Sequence, residues 1–265
     1  MSYQLIHSMR RLRTFIAARF SPEGEMGLHL TLGLALILLA AFVFGEIAED
    51  VVEGDTITVI DVHLAQWFHQ RAHPGFTQLM FFVTHWNGIV GASIMGTLLA
   101  AWFWRRGAHY WLIVALMAIP GGMLLNVALK QVFRRARPSF DEPLLTLATY
   151  SFPSGHTAAA TIFYGLLACF LVRRTHSWGR RVLAMAGAAC MVALVALSRM
   201  YLGAHYLSDV LAAAFEGAAW LAVCITAVAT LHRRRTARGK PSWSERTRRH
   251  PQAGAGPANN NGSGA

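Results

Sequence analysis

Residues 107–129 read GAHYWLIVALMAIPGGMLLNVAL, a run of 23 residues without Asp, Glu, Lys or Arg. A helix of roughly 20 apolar residues crosses the hydrocarbon core of a bilayer. Three further stretches have the same character, residues 28–45, 76–104 and 210–231, and only Glu216 interrupts the last of them. These stretches decide the fold class, which we predict to be an all-α, polytopic membrane protein.

The composition agrees with this class and excludes several others. Of 265 residues, 54% are hydrophobic and 14% are charged, whereas a soluble domain carries about 25% charged residues. A secreted disulfide scaffold and a disordered chain are excluded, and the net charge of +11 does not indicate a nucleic-acid partner. The expected partners are membrane lipids. The three cysteines lie inside apolar stretches, which is typical of small residues in membrane helices: Cys169, Cys190 and Cys224.

The apolar runs predict six transmembrane helices in a bundle, and the segments around them predict four regions of the chain. The fourth and fifth spans are short, and arginine pairs beside them support their assignment. The predicted spans are residues 28–46, 77–104, 109–130, 157–172, 182–198 and 209–231. The predicted regions are a cytoplasmic N-terminal segment (1–27), the first span with an outer interfacial segment (28–75), a catalytic core of five spans (76–232) and a disordered basic cytoplasmic tail (233–265).

The distribution of basic residues predicts the orientation, because Lys and Arg near span ends are retained on the cytoplasmic side. With both termini inside, 18 of the 24 Lys and Arg residues are cytoplasmic. The expected location is a bacterial inner membrane, with the site facing outward. The outer face receives the acidic residues between Glu46 and Asp61, and an interfacial helix is expected between Glu46 and Pro74. Five basic residues at outer span ends contradict the charge rule, which suggests that the outer face uses them: Lys130, Arg134, Arg135, Arg137 and Arg199.

Three clusters of polar residues follow or precede spans on this same side. They have the spacings K-x6-R-P, P-S-G-H and S-R-x5-H-x3-D. They consist of Lys130 with Arg137-Pro138, of Pro153-Ser154-Gly155-His156, and of Ser198-Arg199 with His205 and Asp209.

The basic members of these clusters suit phosphoryl chemistry. The transition state of phosphoryl transfer spreads negative charge over the equatorial oxygens, so fixed cations around one point stabilise it. Arginine offers a planar fork for bidentate contact with phosphate, and lysine offers a point charge. We predict that Lys130, Arg137 and Arg199 bind the phosphate. Each arginine alone could also be a side chain that reaches toward water at the interface.

The Pro-Ser-Gly-His cluster is predicted to form the turn that opens the fourth helix. Free N–H groups at a helix N-terminus bind anions, so Ser154 and Gly155 are expected to contact phosphate oxygens. An ordinary helix cap explains Pro-Ser-Gly equally well. His156 has no role in such a cap, and we predict that it is the general acid for the leaving group.

His205 and Asp209 are four residues apart, so on one helix they would share a face. A carboxylate that holds one ring nitrogen leaves the other nitrogen free to attack phosphorus. His205 is therefore the predicted nucleophile. Asp209 could alternatively be a favourable acid in a first helical turn capped by Ser208, and His205 an interfacial histidine without a partner.

With these motifs the chain resembles the type 2 phosphatidic acid phosphatase superfamily, the membrane lipid phosphatases related to vanadium haloperoxidases. The match is complete at every motif position between residues 130 and 209. The resemblance implies a phosphohistidine intermediate on His205, with no metal and no cofactor. Four supporting positions near the site are also expected: Ser198, Pro138, Glu216 and Asn126. For Glu216 and Asn126 an ordinary interhelical hydrogen bond is the competing interpretation.

The predicted activity is hydrolysis of a lipid phosphate, with undecaprenyl diphosphate as the first choice by family analogy. Phosphatidate and phosphatidylglycerol phosphate are the alternatives within this activity. A lipid-phosphate transporter or binding protein would use the same basic pocket without turnover. A vanadium haloperoxidase would share the motifs, but such enzymes are soluble, and the six spans disfavour it. The sequence leaves the oligomeric state open.

Overall fold

The computed structural model describes residues 28–237, and this range is all-helical, as predicted. The predicted cytoplasmic segment 1–27 and the tail from residue 238 lie outside the described residues. Within residues 28–237 there are eight helices: α1 (Leu28–Glu53), α2 (Thr56–Gln70), α3 (Pro74–Trp86), α4 (Ile89–Arg105), α5 (His109–Phe133), α6 (Gly155–Arg174), α7 (Trp178–Tyr201) and α8 (Leu207–Ala237).

Five of these helices, α1, α5, α6, α7 and α8, are individually long and apolar enough to cross a membrane. Helices α3 and α4 together supply a sixth apolar segment, but they are bent by 50° at the break between them. The predicted span over 77–104 is therefore broken at Asn87 and Gly88. The Asn87 side-chain amide donates to the carbonyl of Val83 at 3.0 Å, and Asn and Gly are both poor helix formers.

The first span is longer than predicted, because α1 continues through the acidic residues after Glu46. It ends at Glu53, and Gly54 follows with a φ of +79°. Glycine adopts this left-handed conformation without the steric cost of a Cβ atom, and it commonly ends helices. The acidic segment is thus an extension of α1, and the chain turns at Gly54 into α2.

Helix α2 is the helix expected between Glu46 and Pro74. Val59, Ile60 and Trp67 are exposed on it, whereas Asp61 and Ala65 are buried. A helix with one apolar exposed face fits an interfacial position, which stays a prediction. Its buried acid is the unusual feature, because carboxylates are rarely buried without partners.

The bundle packs around α5, α6 and α8. Phe103, Val114, Ala118 and Leu166 form the centre of its apolar core. Helix α1 packs along α8, and α7 packs along α6. Large apolar side chains also cover the outer surface; Leu124 and Leu183, for example, are each 72% exposed. Such a surface fits contact with lipid tails.

Candidate active site

The polar clusters meet at one end of the bundle, where α5 and α7 end and α6 and α8 begin. A cavity of about 360 Å³ lies there. The chain segments that form this end are the loop 134–154 and the turn 202–206. Seven of the residues predicted for the site line the cavity: Asn126, Lys130, Arg137, Gly155, His156, Arg199 and His205.

The turn after α7 places His205 beside Arg199. The backbone N–H groups of Ala204 and His205 both donate to the carbonyl oxygen of Arg199, at 3.0 and 3.2 Å. Gly203, one residue earlier than Ala204, has a φ of +68°, which L side chains rarely adopt. The tight turn thus depends on glycine at this position and fixes where His205 leaves the backbone.

Both ring nitrogens of His205 have neighbours that define their roles. Nδ1 lies 3.3 Å from Oδ2 of Asp209, and Nε2 lies 3.2 Å from Nη1 of Arg137. Arg137 can only donate, so Nε2 is the acceptor and Nδ1 carries the proton toward Asp209. This tautomer leaves the lone pair of Nε2 on the cavity side.

The structure corrects the expectation that His205 and Asp209 share a helical face. Helix α8 begins at Leu207, so His205 precedes it, and Ser208 lies within the first turn and is not its cap. The contact still forms, because side chains of a helix lean toward its N-terminus and Asp209 therefore reaches back to the turn. Asp209 Oδ2 also accepts the backbone N–H of Tyr206 at 2.9 Å.

The surroundings keep His205 uncharged. The side chain is 2% exposed, and this burial is the main reason that its pKa is well below the usual 6.5. The positive charges of Arg199, Arg137 and Lys130 lower the pKa further. A neutral imidazole with a directed lone pair is the form that a nucleophilic histidine requires.

The three cations are held around the cavity by different partners. Arg199 is buried; its Nη1 donates to Oγ1 of Thr84 at 2.5 Å, and its Nε has no hydrogen-bond partner within residues 28–237. Lys130 Nζ donates to the carbonyls of Tyr150 and Ser151, at 2.9 and 3.2 Å. The pKa of Arg137 is lowered by burial, with Asp209 opposing the shift, but a guanidinium stays protonated in proteins.

The remaining members of the motifs are placed less directly at the cavity. The Ser154 side chain is fully buried, and its Oγ accepts from Thr157 Oγ1 at 3.1 Å. Ser198 Oγ donates to the carbonyl of Val195 in its own helix, at 2.7 Å. Ser154, Ser198 and Pro138 are described residues that do not line the cavity. Their side chains are thus not brought to the place where a phosphate would lie.

Asn126 and Glu216 meet across the bundle beneath the cavity. Asn126 Nδ2 donates to Oε2 of Glu216 at 2.9 Å, and Asn126 lines the cavity. Oε1 of Glu216 is buried without a hydrogen-bond partner in the described part of the chain. The pair is an interhelical hydrogen bond, one of the two interpretations open from the sequence.

Two charged residues of this end were not assigned to the site from the sequence. Arg135 forms ion pairs with Asp209, at 2.7 Å, and with Asp61, at 2.8 Å. Arg135 was one of five basic residues that contradict the charge rule, which was a usable signal. For Asp61 the signal was a single acid among apolar residues of α2, and sequence spacing did not relate it to the motifs. Thr84, the partner of Arg199, had no distinguishing signal.

No group of three or more His, Cys, Asp or Glu side chains is placed to hold a metal ion among residues 28–237. That catalysis needs no metal stays a prediction from the resemblance.

Comparison with known proteins assigns the family. Residues 108–233 match the PAP2 superfamily. Phosphatidylglycerophosphatase B of Bacillus subtilis (strain 168) is 33% identical over 144 residues, which are 52% of this chain and 68% of that protein. A probable lipid phosphate phosphatase beta of Arabidopsis thaliana is 34% identical over 110 residues, which are 33% of this chain and 52% of that protein. The chain belongs to the PAP2 superfamily, and the resemblance seen in its motifs is confirmed.

Solved structures show the same membrane fold. The transmembrane PAP2 type phosphatidylglycerolphosphate phosphatase from Bacillus subtilis superposes with a TM-score of 0.64 and 25% identity, covering 71% of this chain and 93% of that one. LpxE from Aquifex aeolicus superposes with a TM-score of 0.50 and 21% identity, covering 64% and 94%; this second match concerns the fold alone. The protein is an integral membrane phosphatase of the PAP2 type.

Proposed function

We propose that this enzyme removes the terminal phosphate from a membrane lipid at the outer face of the bilayer. The observation that carries the proposal is the environment of His205. Its Nδ1 faces Asp209 and its Nε2 faces a cavity lined by Lys130, Arg137 and Arg199. A neutral nucleophile surrounded by cations is the arrangement that phosphoryl transfer from an anionic substrate requires.

The reaction proceeds in two displacements. In the first, Nε2 of His205 forms a bond to phosphorus while the bond from phosphorus to the leaving oxygen breaks. His156, protonated in the substrate complex, gives that oxygen its proton and becomes neutral. In the second, His156 takes a proton from water, the water oxygen bonds to phosphorus, and the phosphorus–nitrogen bond breaks. Inorganic phosphate leaves, and His205 is neutral again. The cations stabilise the charge on the equatorial oxygens in both steps.

The cavity favours a lipid over a soluble phosphoester. Its polar end holds the site, and apolar side chains from α4, α5 and α6 line the rest. A phosphate bound among the cations would leave its alkyl chain against this apolar wall, whose members include Ile89, Ala92, Met123, Val127 and Ala159. Removing an alkyl chain from water contributes about 0.8 kcal/mol per buried CH₂.

Two lipids compete as substrate. Undecaprenyl diphosphate is our sequence-based choice, by family analogy. Phosphatidylglycerol phosphate is favoured by the relative at 33% identity and by the solved structure at a TM-score of 0.64, because both are named as phosphatases of this lipid. Both carry a terminal phosphate on a lipid, so the same two displacements serve either one.

The outward orientation is part of the proposal. It is supported by the distribution of Lys and Arg, which favours both termini in the cytoplasm. A bacterial inner membrane, a catalytic core over residues 76–232 and Gly155 as a phosphate contact belong to the same proposal. Ser154 is not part of it, because its side chain does not line the cavity.

Phosphate release by the full-length protein tests this function. The purified chain in detergent with EDTA is given polyprenyl diphosphate, phosphatidylglycerol phosphate, phosphatidate or a soluble phosphoester. The variant His205→Ala removes the nucleophile, and His63→Ala, on the exposed face of α2, is the matched control. We expect release that survives EDTA, persists in the control and is lost in His205→Ala. The lipid with the highest kcat/KM identifies the substrate.

Absence of release from every lipid, or equal release by His205→Ala, would reject the enzyme mechanism and favour binding or transport. The test for that alternative is binding of the same lipids without turnover.

A further inference from the structure

The carboxylate of Asp61, 147 residues from Ser208 in sequence, is bound to the start of α8. Its Oδ1 accepts the backbone N–H of Ser208 at 2.9 Å, and its Oδ2 accepts the Ser208 hydroxyl. The first N–H groups of a helix have no partner within the helix. Asp61, on α2, therefore acts as an N-terminal cap for the helix that carries Asp209, although it belongs to a different helix.

Arg135 joins this cap to the catalytic pair. Its Nη2 donates to Oδ2 of Asp61 at 2.8 Å, and its Nη1 donates to Oδ1 of Asp209 at 2.7 Å. Its guanidinium also lies 4.4 Å from the centre of the Tyr206 ring. Burial alone would lower the pKa of Arg135, but Asp209 and Asp61 outweigh this effect and raise it. One guanidinium thus forms ion pairs with two fully buried carboxylates.

This arrangement determines which oxygen of Asp209 is available to His205. Oδ1 is occupied by Arg135, whereas Oδ2 accepts the Tyr206 N–H and faces Nδ1 of His205. The charge-assisted hydrogen bond from Arg135 to Oδ1 and the Tyr206 N–H on Oδ2 together fix how the Asp209 carboxylate is oriented. Without Arg135, Oδ1 would be a buried charged acceptor lacking its cation, and the carboxylate would turn toward other donors.

We propose that Asp61 and Arg135 are positioning residues for the His205–Asp209 pair. Asp61 holds Arg135 and the start of α8, Arg135 holds Asp209, and Asp209 holds the imidazole in the tautomer that exposes Nε2. Helix α2, which the sequence placed outside the catalytic core, thereby contributes to the rate. The inference rests on the proposed function, because it assigns a role in the same reaction.

Neither residue lines the cavity, which gives the proposal a kinetic signature. Removing an interaction made only in the transition state lowers kcat and leaves KM nearly unchanged. For histidines that bind metals, outer hydrogen-bond partners contribute about 10- to 100-fold to activity, and we take the same range for these partners of Asp209. We expect Asp61→Asn and Arg135→Gln each to lower kcat by about this factor, with KM changed less than about twofold. Arg135→Lys, which keeps the charge but lacks the fork, should lose less than Arg135→Gln.

Matched controls separate this effect from a general loss of charge. Asp55→Asn alters an exposed acid just before α2, and Arg134→Gln alters the exposed neighbour of Arg135. Both controls should keep the kcat of the unaltered enzyme. A fall in kcat for the controls equal to that for Asp61→Asn and Arg135→Gln would overturn the proposal.

A double-mutant comparison separates positioning from stability. If Asp61 acts through Asp209, then adding Asp61→Asn to Asp209→Asn lowers kcat no further, because the carboxylate through which Asp61 acts is already absent. If Asp61 only stabilises the fold, the fold-reductions in kcat of the two single variants multiply, and the melting temperature falls together with kcat. Multiplying losses, or a changed KM with unchanged kcat, would overturn the proposal.

A readout without turnover keeps this inference distinct from the proposed function. In ¹⁵N-histidine protein, the signals of His205, assigned through their absence in His205→Gln, report which ring nitrogen carries the proton. We expect an Nδ1–H ring in the unaltered protein and a mixture of tautomers in Asp61→Asn. An unaltered enzyme inactive on every lipid would reject the function alone. An unchanged His205 spectrum in Asp61→Asn would reject the positioning role, whatever the activity.

Discussion

Nη1 of Arg137 lies 3.2 Å from Nε2 of His205, so a cation faces the lone pair of the proposed nucleophile. The same guanidinium donates to the carbonyls of Thr149, Ala204 and Tyr150. Arg137 is therefore held rigidly by the loop 134–154 and the turn that carries His205. A phosphate that enters the cavity meets a donor and a nucleophile already placed side by side. The Arg137 N–H that points at Nε2 then has to turn to a phosphate oxygen, which frees the lone pair for attack.

Arg137→Lys should therefore be far from conservative. A lysine has a point charge and cannot contact three carbonyls and His205 with a planar fork. We expect kcat/KM to fall on the order of 100-fold, the usual cost of removing one fixed donor to a developing charge. Steady-state hydrolysis of the preferred lipid measures it, with Arg134→Lys as control. Activity within about twofold of the unaltered enzyme would show that charge alone suffices at this position.

Glu216 and Asn126 yield a prediction about stability. Glu216→Gln keeps an acceptor for Asn126 Nδ2, whereas Glu216→Ala leaves that buried donor only the long contact to the Pro153 carbonyl, at 3.5 Å. An unpaired buried donor costs about 1–3 kcal/mol. We expect Glu216→Ala to lower the free energy of unfolding by about this amount and Glu216→Gln to change it little.

Thermal unfolding in detergent and lipid hydrolysis, measured on both variants, separate the two interpretations of this pair. Glu216→Gln with lower activity and an unchanged melting temperature would show that the charge of Glu216 takes part in catalysis.

The pKa of His205 predicts how stability depends on pH. The folded protein keeps this buried imidazole neutral, because its pKa is well below 6.5, whereas the unfolded chain protonates it near pH 6.5. Below that pH the unfolded state binds more protons, so stability falls as pH falls, by up to about 1.4 kcal/mol per pH unit from this group. Melting temperatures at pH 8 and pH 5.5 should differ less in His205→Asn than in the unaltered protein. An equal difference would place the titration on other groups.

The long helices and the motif residues were predictable, because both follow from local patterns. Spans are set by apolar length, and the cations and histidines at span ends have a spacing that phosphoryl chemistry explains. The exact start of α8 was less accessible: the predicted span begins at residue 209, whereas the helix begins at Leu207. Only the structure shows that His205 lies in a turn and still reaches Asp209.

The contacts made by Asp61, Arg135 and Thr84 could not be predicted, because they join residues that are 74 to 147 positions apart. No helical periodicity in the sequence relates such distant residues. Their proximity follows from how α2 and α3 pack against α7 and α8. The break between α3 and α4 at Asn87 and Gly88 could not be predicted either. Asn and Gly occur within many membrane helices, so composition alone does not distinguish a tolerated pair from a bend of 50°.

Gly203 allows a prediction that links this turn to the site. Any residue at this position would keep the φ of +68°, and its Cβ atom would lie 2.8 Å from Cε2 of Phe140. The left-handed conformation costs about 1–2 kcal/mol for a residue other than glycine, and the contact adds a steric cost. We expect Gly203→Ala to lower the free energy of unfolding by at least about 1–2 kcal/mol. It should also lower kcat, because His205 follows two residues later in the same turn.

The double variant Gly203→Ala/Phe140→Ala separates these two costs. Phe140 stacks on His69 with ring centroids 4.1 Å apart, so Phe140→Ala alone gives the cost of losing that packing. If the steric contact matters, the double variant is more stable than the sum of the single effects predicts. Gly179→Ala, with no atom within 4 Å of its Cβ position, is the control and should be neutral or stabilising. Additive effects would assign the whole loss to the backbone conformation of the turn.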